Sequence, residues 1–161
     1  PLPEAQLDRF LLHVLVDYPD REAETKILQL VRNENAQISA PAQTLITQHN
    51  IFSARQEMLA LHMAEPVERY IVELILATRN PPERIKPWLE FGASPRGTIG
   101  LDMCARALAW LNDRNFVTPE DVQSVAHDVL RHRLILSFDA DAQGITTDQV
   151  IDDLIALVPV P

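Results

Sequence analysis

The chain has 161 residues and a formal net charge of −9 at pH 7, a length that suits one ordinary domain or one small domain with part of another. The acidic balance argues against sequence-independent binding of nucleic acid or of an anionic membrane, because both need clustered cations that displace counterions. Apolar residues make up 47% of the chain and aromatic residues only 6%, which favours packed helices over an aromatic-rich β-sandwich.

Cysteine content and hydropathy predict a cytoplasmic protein. Cys104 is the only cysteine, so an internal disulfide is impossible and a reducing compartment is the simpler interpretation. No uninterrupted apolar run approaches the roughly 18 residues that a membrane span requires, and we expect no signal peptide. The chain opens with Pro1-Leu2-Pro3 and no methionine, which suggests a segment of a longer protein.

The start of the chain predicts a short helix and one strand. Residues 3–9 (PEAQLDR) have the character of a helical turn, and residues 10–16 (FLLHVLV) form a continuous apolar run that ends before Tyr18-Pro19. Such a run is typical of a strand buried on both faces of a sheet. No convincing second strand follows, so we expect the rest of that sheet to lie outside this chain.

The remaining residues predict five to six helices, with residues 36–52 mainly as connection. Ser, Thr or Asp at a helix start can accept a hydrogen bond from a first-turn amide, and Gln three residues later completes a capping box. The predicted helices run from Asp20 to about Asn35, Ser53 to about Met63, Pro66 to about Asn80, Ser94 to about Arg114, Thr118 to about Leu130 and Thr146 to about Leu157. We expect their inward faces to include Ala23, Ile27, Leu30 and Val31; Tyr70, Ile71, Leu74 and Ile75; Leu101, Ala105, Leu108 and Leu111; and Val122, Val125, Val129 and Leu130.

Two of these helices start at a proline but differ in their first-turn charge. Two acids follow Thr118-Pro119 and complement the helix dipole, whereas Arg96 follows Ser94-Pro95 and opposes it by about 0.3–1 kcal/mol. An anion bound at this N-terminus would explain the cation, because free amides and a guanidinium would converge on it and Gly97 leaves the backbone open. Alternatively, Arg96 is simply exposed or paired with a nearby acid such as Glu90.

Arg9 raises a similar question, because it lies between the predicted turn and the predicted strand. It could reach from a sheet edge to an anion held by a neighbouring subunit. Alternatively, it could extend along the surface at the strand start, or pair with Asp8 or Glu4.

Patterns that suggest metal sites or a nucleophile are incomplete. Residues 139–144 begin like a calcium loop, but Val150 stands where the bidentate glutamate belongs. His127 and His132 are five residues apart and do not share a helical face, and no second acid directly follows Asp17. We therefore expect no metal site, and we expect Cys104 to belong to the core.

Several separated segments resemble the C-terminal part of the MoxR family of AAA+ ATPases. They are LPEAQLDRFLLHVLVDYP at 2–19, TRN at 78–80, GASPRGTIGL at 92–101, DRNFVTPEDV at 113–122 and VLRHRLIL at 129–136. The resemblance covers most of the chain and is least distinctive over residues 36–65. It implies a mainly α fold, a helical-bundle AAA+ lid domain preceded by a short helix and one strand left over from the α/β core. The implied domains are the end of the ATPase core at 1–18, connecting helices at 19–65 and the lid at 66–161.

The resemblance also implies roles for two arginines. Arg9 would be the arginine finger that acts in trans on ATP in the adjacent subunit, and Arg96 would be the sensor 2 arginine that acts in cis. Ser94, Pro95 and Gly97 would lie beside the nucleotide with Arg96. The implied cofactors are ATP and Mg²⁺. The implied partners are the ATPase core of the same chain, neighbouring subunits of a hexameric ring and a von Willebrand factor A domain protein, in chaperone-like remodelling or maturation of protein complexes.

One departure limits these expectations. The sequence has four glycines, and none lies in G-x-x-x-x-G-K-[ST], so the chain carries no phosphate-binding loop. We therefore expect the isolated chain neither to bind ATP tightly nor to hydrolyse it. A non-catalytic helical protein-interaction module is the alternative, and helix-turn-helix DNA binding is disfavoured because no basic recognition helix is present.

Overall fold

A computed structural model describes residues 2–36 and 45–161, which fall into two compact units. The larger unit contains the residues up to Val14 and Arg55–Pro161, and the smaller unit is Leu15–Ala54. Residues 37–44, part of the predicted connection, lie outside the described residues.

The described residues are mainly helical, and a short helix stands at the beginning, which confirms the predicted mainly α class. In chain order the helices are α1 (Glu4–Leu7), α2 (Arg21–Asn35), α3 (Gln48–Ala60), α4 (Glu65–Arg79), α5 (Pro95–Leu111), α6 (Pro119–Leu130), α7 (Phe138–Ala142) and α8 (Thr147–Leu157). A 3₁₀ turn at Lys86–Trp88 leads into β1 (Leu89–Phe91), which pairs antiparallel with β2 (Ile135–Leu136). The sequence did not predict α7, β1 or β2, because elements this short show no periodicity.

The core of the larger unit lies where α4, α5, α6 and α8 pack together. Leu101, Val122 and Ile151 are fully buried there, and burying one such side chain stabilises the fold by about 1.5–3 kcal/mol. The predicted inward faces of α4 and α6 are confirmed, with Val125 only half-buried, and Cys104 is buried as expected. Leu111 was predicted to face inward, which is wrong: α5 ends at that residue and 68% of Leu111 is exposed.

Four predicted helix caps are confirmed. Asp20, Ser94, Thr118 and Thr146 are the N-caps of α2, α5, α6 and α8. The predicted start of α3 at Ser53 is wrong, since the helix begins at Gln48. Its start follows a reciprocal cap in which the Thr47 amide donates to the Asn50 side chain at 3.1 Å and the Asn50 amide donates to the Thr47 hydroxyl at 3.2 Å.

The predicted strand over residues 10–16 is wrong for this chain. Within residues 2–36 and 45–161, this segment pairs with no strand. A strand requires a partner edge for its amides and carbonyls. Instead, the His13 amide donates to the Asp128 carbonyl at 2.8 Å, and the carbonyls of Phe10 and Leu11 accept hydrogen bonds from Arg133.

The smaller unit is built around α2, which has its predicted bounds but a different burial. All residues of α2 are described, and none is buried. The predicted inward residues Ile27 and Leu30 are 46% and 58% exposed. The predicted inward face of α2 is therefore wrong for the residues that the structure describes, because its large apolar side chains are exposed there.

Gly92 lies against the C-terminal end of α4, where its backbone approaches that of Thr78 and Arg79. A Cβ atom at this position would overlap the Thr78 carbonyl and would lie 2.8 Å from the Arg79 nitrogen. Backbone atoms cannot rotate away as a flexible side chain can. The turn before α5 is thus joined closely to α4.

We expect Gly92→Ala to lower the free energy of unfolding by about 1–3 kcal/mol, because the added methyl group overpacks this junction. Chemical denaturation followed by circular dichroism measures the loss. Gly144→Ala is the control: its Cβ meets nothing within 4 Å, but its φ of +70° strains an L-residue by about 1 kcal/mol. A loss at Gly92 no larger than that at Gly144 would contradict the steric explanation.

Candidate functional site

The start of α5 brings together four of the residues selected from the sequence. The Ser94 hydroxyl accepts a hydrogen bond from the Arg96 amide at 3.1 Å, and the Ser94 carbonyl accepts one from the Gly97 amide at 2.9 Å. Pro95 occupies the first turn, where its missing amide hydrogen costs nothing. Ser94 and Pro95 therefore fix the direction in which α5 begins.

The end of α4 holds the turn that precedes Ser94. The buried Thr78 hydroxyl donates to the Ile75 carbonyl at 2.7 Å and accepts from the Ala93 amide at 3.0 Å. Arg79 Nε donates to the Ala93 carbonyl at 2.9 Å. Both backbone groups of Ala93 are thus bound to α4, which positions the N-terminus of α5 and explains the role of residues 78–79 in this part of the chain.

A carboxylate of the chain itself lies at the start of α5. Arg96 Nη1 is 3.0 Å from Asp8 Oδ2, and the Ser94 hydroxyl lies 2.9 Å from both Asp8 oxygens. The Arg96 side chain is 55% exposed, whereas that of Asp8 is 18% exposed. Arg96 is therefore paired with an acid, as one interpretation of the sequence held, but the acid is Asp8 and not Glu90.

Arg133 is a further member of this site, which the sequence analysis missed. Its side chain is 2% exposed, and its Nε lies 3.3 Å from Asp8 Oδ1. The Arg133 guanidinium donates to the carbonyls of Asp8 at 3.2 Å, Phe10 at 2.6 Å and Leu11 at 3.2 Å, and also to that of Val129. We call Asp8, Ser94, Arg96 and Arg133 the Asp8 cluster.

The two arginines of the Asp8 cluster stabilise the charge of Asp8. Burial raises the pKa of Asp8, but the hydrogen bonds from Ser94 and Arg96 and the positive charge of Arg133 outweigh it and hold the pKa below its ordinary value. Burial lowers the pKa of Arg133, and the Asp8 charge opposes that effect. Because a guanidinium remains protonated in proteins, Asp8 and Arg133 form an ion pair around neutral pH.

Arg9 and Gly97 have surroundings different from those of Arg96. Arg9 is exposed, and its side chain forms no ion pair with the described residues. Gly97 is buried in α5, where a Cβ would lie 2.9 Å from the Ile75 Cδ1 atom. The structure thus brings Ser94 and Arg96 to one anion, places Arg9 directly after Asp8, and gives Gly97 a packing role against α4.

The calcium-like pattern of the sequence falls on two helices. Asp139 and Asp141 lie in α7, and Val150 is buried in α8. Across residues 2–36 and 45–161, His, Cys, Asp and Glu side chains do not gather in groups of three or more that could hold a metal ion. None of the helices in these ranges is both long and apolar enough to cross a membrane.

Comparison with known proteins identifies a lid domain and a set of relatives. A family profile described as the AAA lid domain matches residues 82–154. The chain is 37% identical to chaperone MoxR1 of Mycobacterium tuberculosis, with 100% of the chain and 43% of that protein covered. It is 30% identical to protein MoxR of Paracoccus denitrificans, with 99% of the chain and 51% of that protein covered.

A solved structure agrees in fold over the whole chain. The crystal structure of a candidate ATPase from Cytophaga hutchinsonii has a TM-score of 0.95 and 37% sequence identity, covering 100% of this chain and 49% of that one. The chain therefore spans about half the length of the proteins it matches, 43% to 51% for the two curated relatives.

We expect Asp8→Asn to lower the free energy of unfolding at pH 7 by about 1–3 kcal/mol, because hydrogen bonds to a charged group are lost. The folded-state pKa of Asp8 is lowered from 3.8, so its contribution is present above pH 3.8 and disappears as the pH falls through the lower folded-state value. Denaturation of both proteins between pH 7 and pH 2 measures the difference. A difference that stays constant below pH 3.8 would show that the Asp8 charge is not responsible.

Proposed function

Because the chain belongs to the MoxR family of AAA+ ATPases and corresponds to the C-terminal part of its members, we propose that it is the lid region of such an ATPase. In the full-length protein, this region couples ATP binding and hydrolysis to the remodelling or maturation of protein complexes. The relative named chaperone MoxR1 supports that role. The observation that carries the proposal is the start of α5, where Ser94 and Arg96 bind a carboxylate.

The donors at the start of α5 suit a phosphate. At the capped N-terminus of α5, a hydroxyl and a guanidinium already bind one oxyanion, the carboxylate of Asp8. The same donor types recognise phosphate oxygens, for which the guanidinium provides charge-assisted hydrogen bonds. Arg96 acts as the sensor 2 arginine on ATP bound by its own subunit, with Ser94, Pro95 and Gly97 beside it. It stabilises the charge that develops during phosphoryl transfer.

Arg9 acts on a different nucleotide. Its exposed side chain is free to reach beyond its own chain, as an arginine finger must. Phosphoryl transfer depends mainly on positioning and charge stabilisation, so a guanidinium supplied in trans raises the rate by several orders of magnitude. Each active site is then shared between neighbouring subunits, in keeping with a hexameric ring.

The ATPase core supplies the remainder of the site. The sequence has four glycines, none in a phosphate-binding loop, so the phosphate cradle and the Mg²⁺ ligands belong to the core. The isolated chain is inactive for this reason. The assembled ring acts in the cytoplasm on a protein client, and a von Willebrand factor A domain protein is a further partner. Because the chain is acidic, we propose no nucleic acid partner.

We expect Arg96→Ala in the full-length protein to lower kcat for ATP hydrolysis on the order of 100-fold, because a preorganised donor to the transition state is lost. Steady-state phosphate release measures it. Arg84→Ala is a matched control, since Arg84 is also exposed and also pairs with an aspartate, Asp153, at 3.0 Å. Equal turnover of the two variants would contradict the sensor assignment and would favour a non-catalytic helical module.

We expect Arg9→Ala subunits to regain hydrolysis when mixed with subunits whose core cannot bind ATP. The second type of subunit is inactive itself but donates an intact Arg9 to its neighbour's nucleotide. When Arg96→Ala subunits take the place of the Arg9→Ala subunits in this mixture, hydrolysis should not recover, because Arg96 acts on its own subunit's ATP. Phosphate release across a range of mixing ratios measures the recovery. If Arg9→Ala subunits do not recover, Arg9 does not act in trans.

A further inference from the structure

Arg133 binds the backbone on both sides of Arg9. Its guanidinium donates to the carbonyl of Asp8 at 3.2 Å and to that of Phe10 at 2.6 Å. Because a guanidinium is a rigid planar donor and this one is almost fully buried, the two carbonyls are held at fixed positions. The backbone of Arg9 is consequently fixed to the turn after α6, although the Arg9 side chain is exposed.

Asp8 connects the same guanidinium to Arg96. One Asp8 oxygen lies 3.3 Å from Arg133 Nε and the other lies 3.0 Å from Arg96 Nη1. The Ser94 hydroxyl holds both oxygens from the start of α5. Since α5 and α6 pack against each other in the core, Asp8 is tied to two elements of one rigid arrangement. A long and largely exposed Arg96 side chain thereby gains a preferred direction.

We propose that Asp8 and Arg133 are positioning residues for ATP hydrolysis, which place the arginine acting on the neighbouring subunit's nucleotide and the arginine acting on the subunit's own. This inference rests on the proposed function. Arg133 places Arg9 through the backbone, and Asp8 places Arg96 through an ion pair. Neither residue needs to touch the nucleotide. Each subunit therefore presents both arginines from one connected group of side chains.

The first test measures hydrolysis by the full-length protein with Asp8→Asn, which keeps the size of the side chain and removes the charge. We expect kcat to fall on the order of 10- to 100-fold through misplacement of both arginines. The KM for ATP should change by less than about twofold, since the loss is confined to the transition state. Arg133→Lys keeps the charge but not the planar fork and should give the same result. Unchanged kcat in the folded variants overturns the inference.

The second test asks whether both arginines are affected. Subunits with Arg9→Ala and subunits with Arg96→Ala should restore each other, because the first type retains its own Arg96 and the second type donates Arg9. When Asp8→Asn subunits are mixed with either of these two types, we expect hydrolysis to stay low. Asp8→Asn misplaces Arg9, which an Arg9→Ala neighbour needs, and it misplaces Arg96, which its own site needs. The inference is overturned if a mixture that contains Asp8→Asn subunits hydrolyses ATP as fast as the mixture of Arg9→Ala and Arg96→Ala subunits.

Arg106→Lys is the matched control for a loss of lid stability. The Arg106 side chain is 15% exposed, pairs with Asp102 at 2.9 Å and donates to the Leu61 carbonyl, but it does not contact the Asp8 cluster. We expect the melting temperature of the Arg106→Lys variant to fall as much as that of Arg133→Lys, while its rate of ATP hydrolysis stays unchanged. An equal fall in kcat would mean that general destabilisation explains the effect, and the inference would be wrong.

The outcomes also separate this inference from the proposed function. If the unmodified full-length protein does not hydrolyse ATP, or if Arg9→Ala and Arg96→Ala subunits fail to restore each other, the proposed function itself is wrong. If they do restore each other but Asp8→Asn subunits behave like unmodified ones, only the positioning role is wrong. Should Arg133→Lys fail to fold, Asp8→Asn carries the test alone.

Discussion

The burial of the Arg133 guanidinium is the constraint on which the candidate site depends. A charge in a dry interior is costly unless its donors find partners, and here several partners come from the first residues of the chain. The carbonyls of Leu11 and Asp8 stand 122 and 125 residues away in sequence. The fold can therefore bury this arginine only with the N-terminal segment in place. This requirement explains why residues 8–11 are fixed on the helical unit although Phe10 and Leu11 remain 56% and 44% exposed.

Local physics made much of the fold predictable. A helix cap depends on a few neighbouring residues, so Asp20, Ser94, Thr118 and Thr146 could be identified from the sequence alone. The inward face of α4 followed from helical periodicity because the pattern there is strong. The same local reasoning offered two explanations for Arg96, a bound anion or an ion pair with an acid of the chain, and the structure shows an ion pair with Asp8.

Features that depend on distant contacts were not predictable. The apolar run at 10–16 has the composition of a buried strand, but a strand also requires a neighbour, and sequence composition does not show whether one exists. Arg133 lies between His132 and Leu134, directly after a predicted helix, where an arginine is usually exposed. It is buried only because residues 8–11 pack against it. The acid that pairs with Arg96 was sought six residues away, whereas Asp8 lies 88 residues away.

The Thr78 hydroxyl joins α4 to the turn before α5, and Gly92 lets the two backbones meet without a side chain between them. Close-packed contacts of this kind resist gradual deformation. In mechanical terms, α4 and the start of α5 form a single lever with no hinge at residue 92. A tilt of α4 therefore also moves the start of α5. Ser94 and Arg96 change position together with α4.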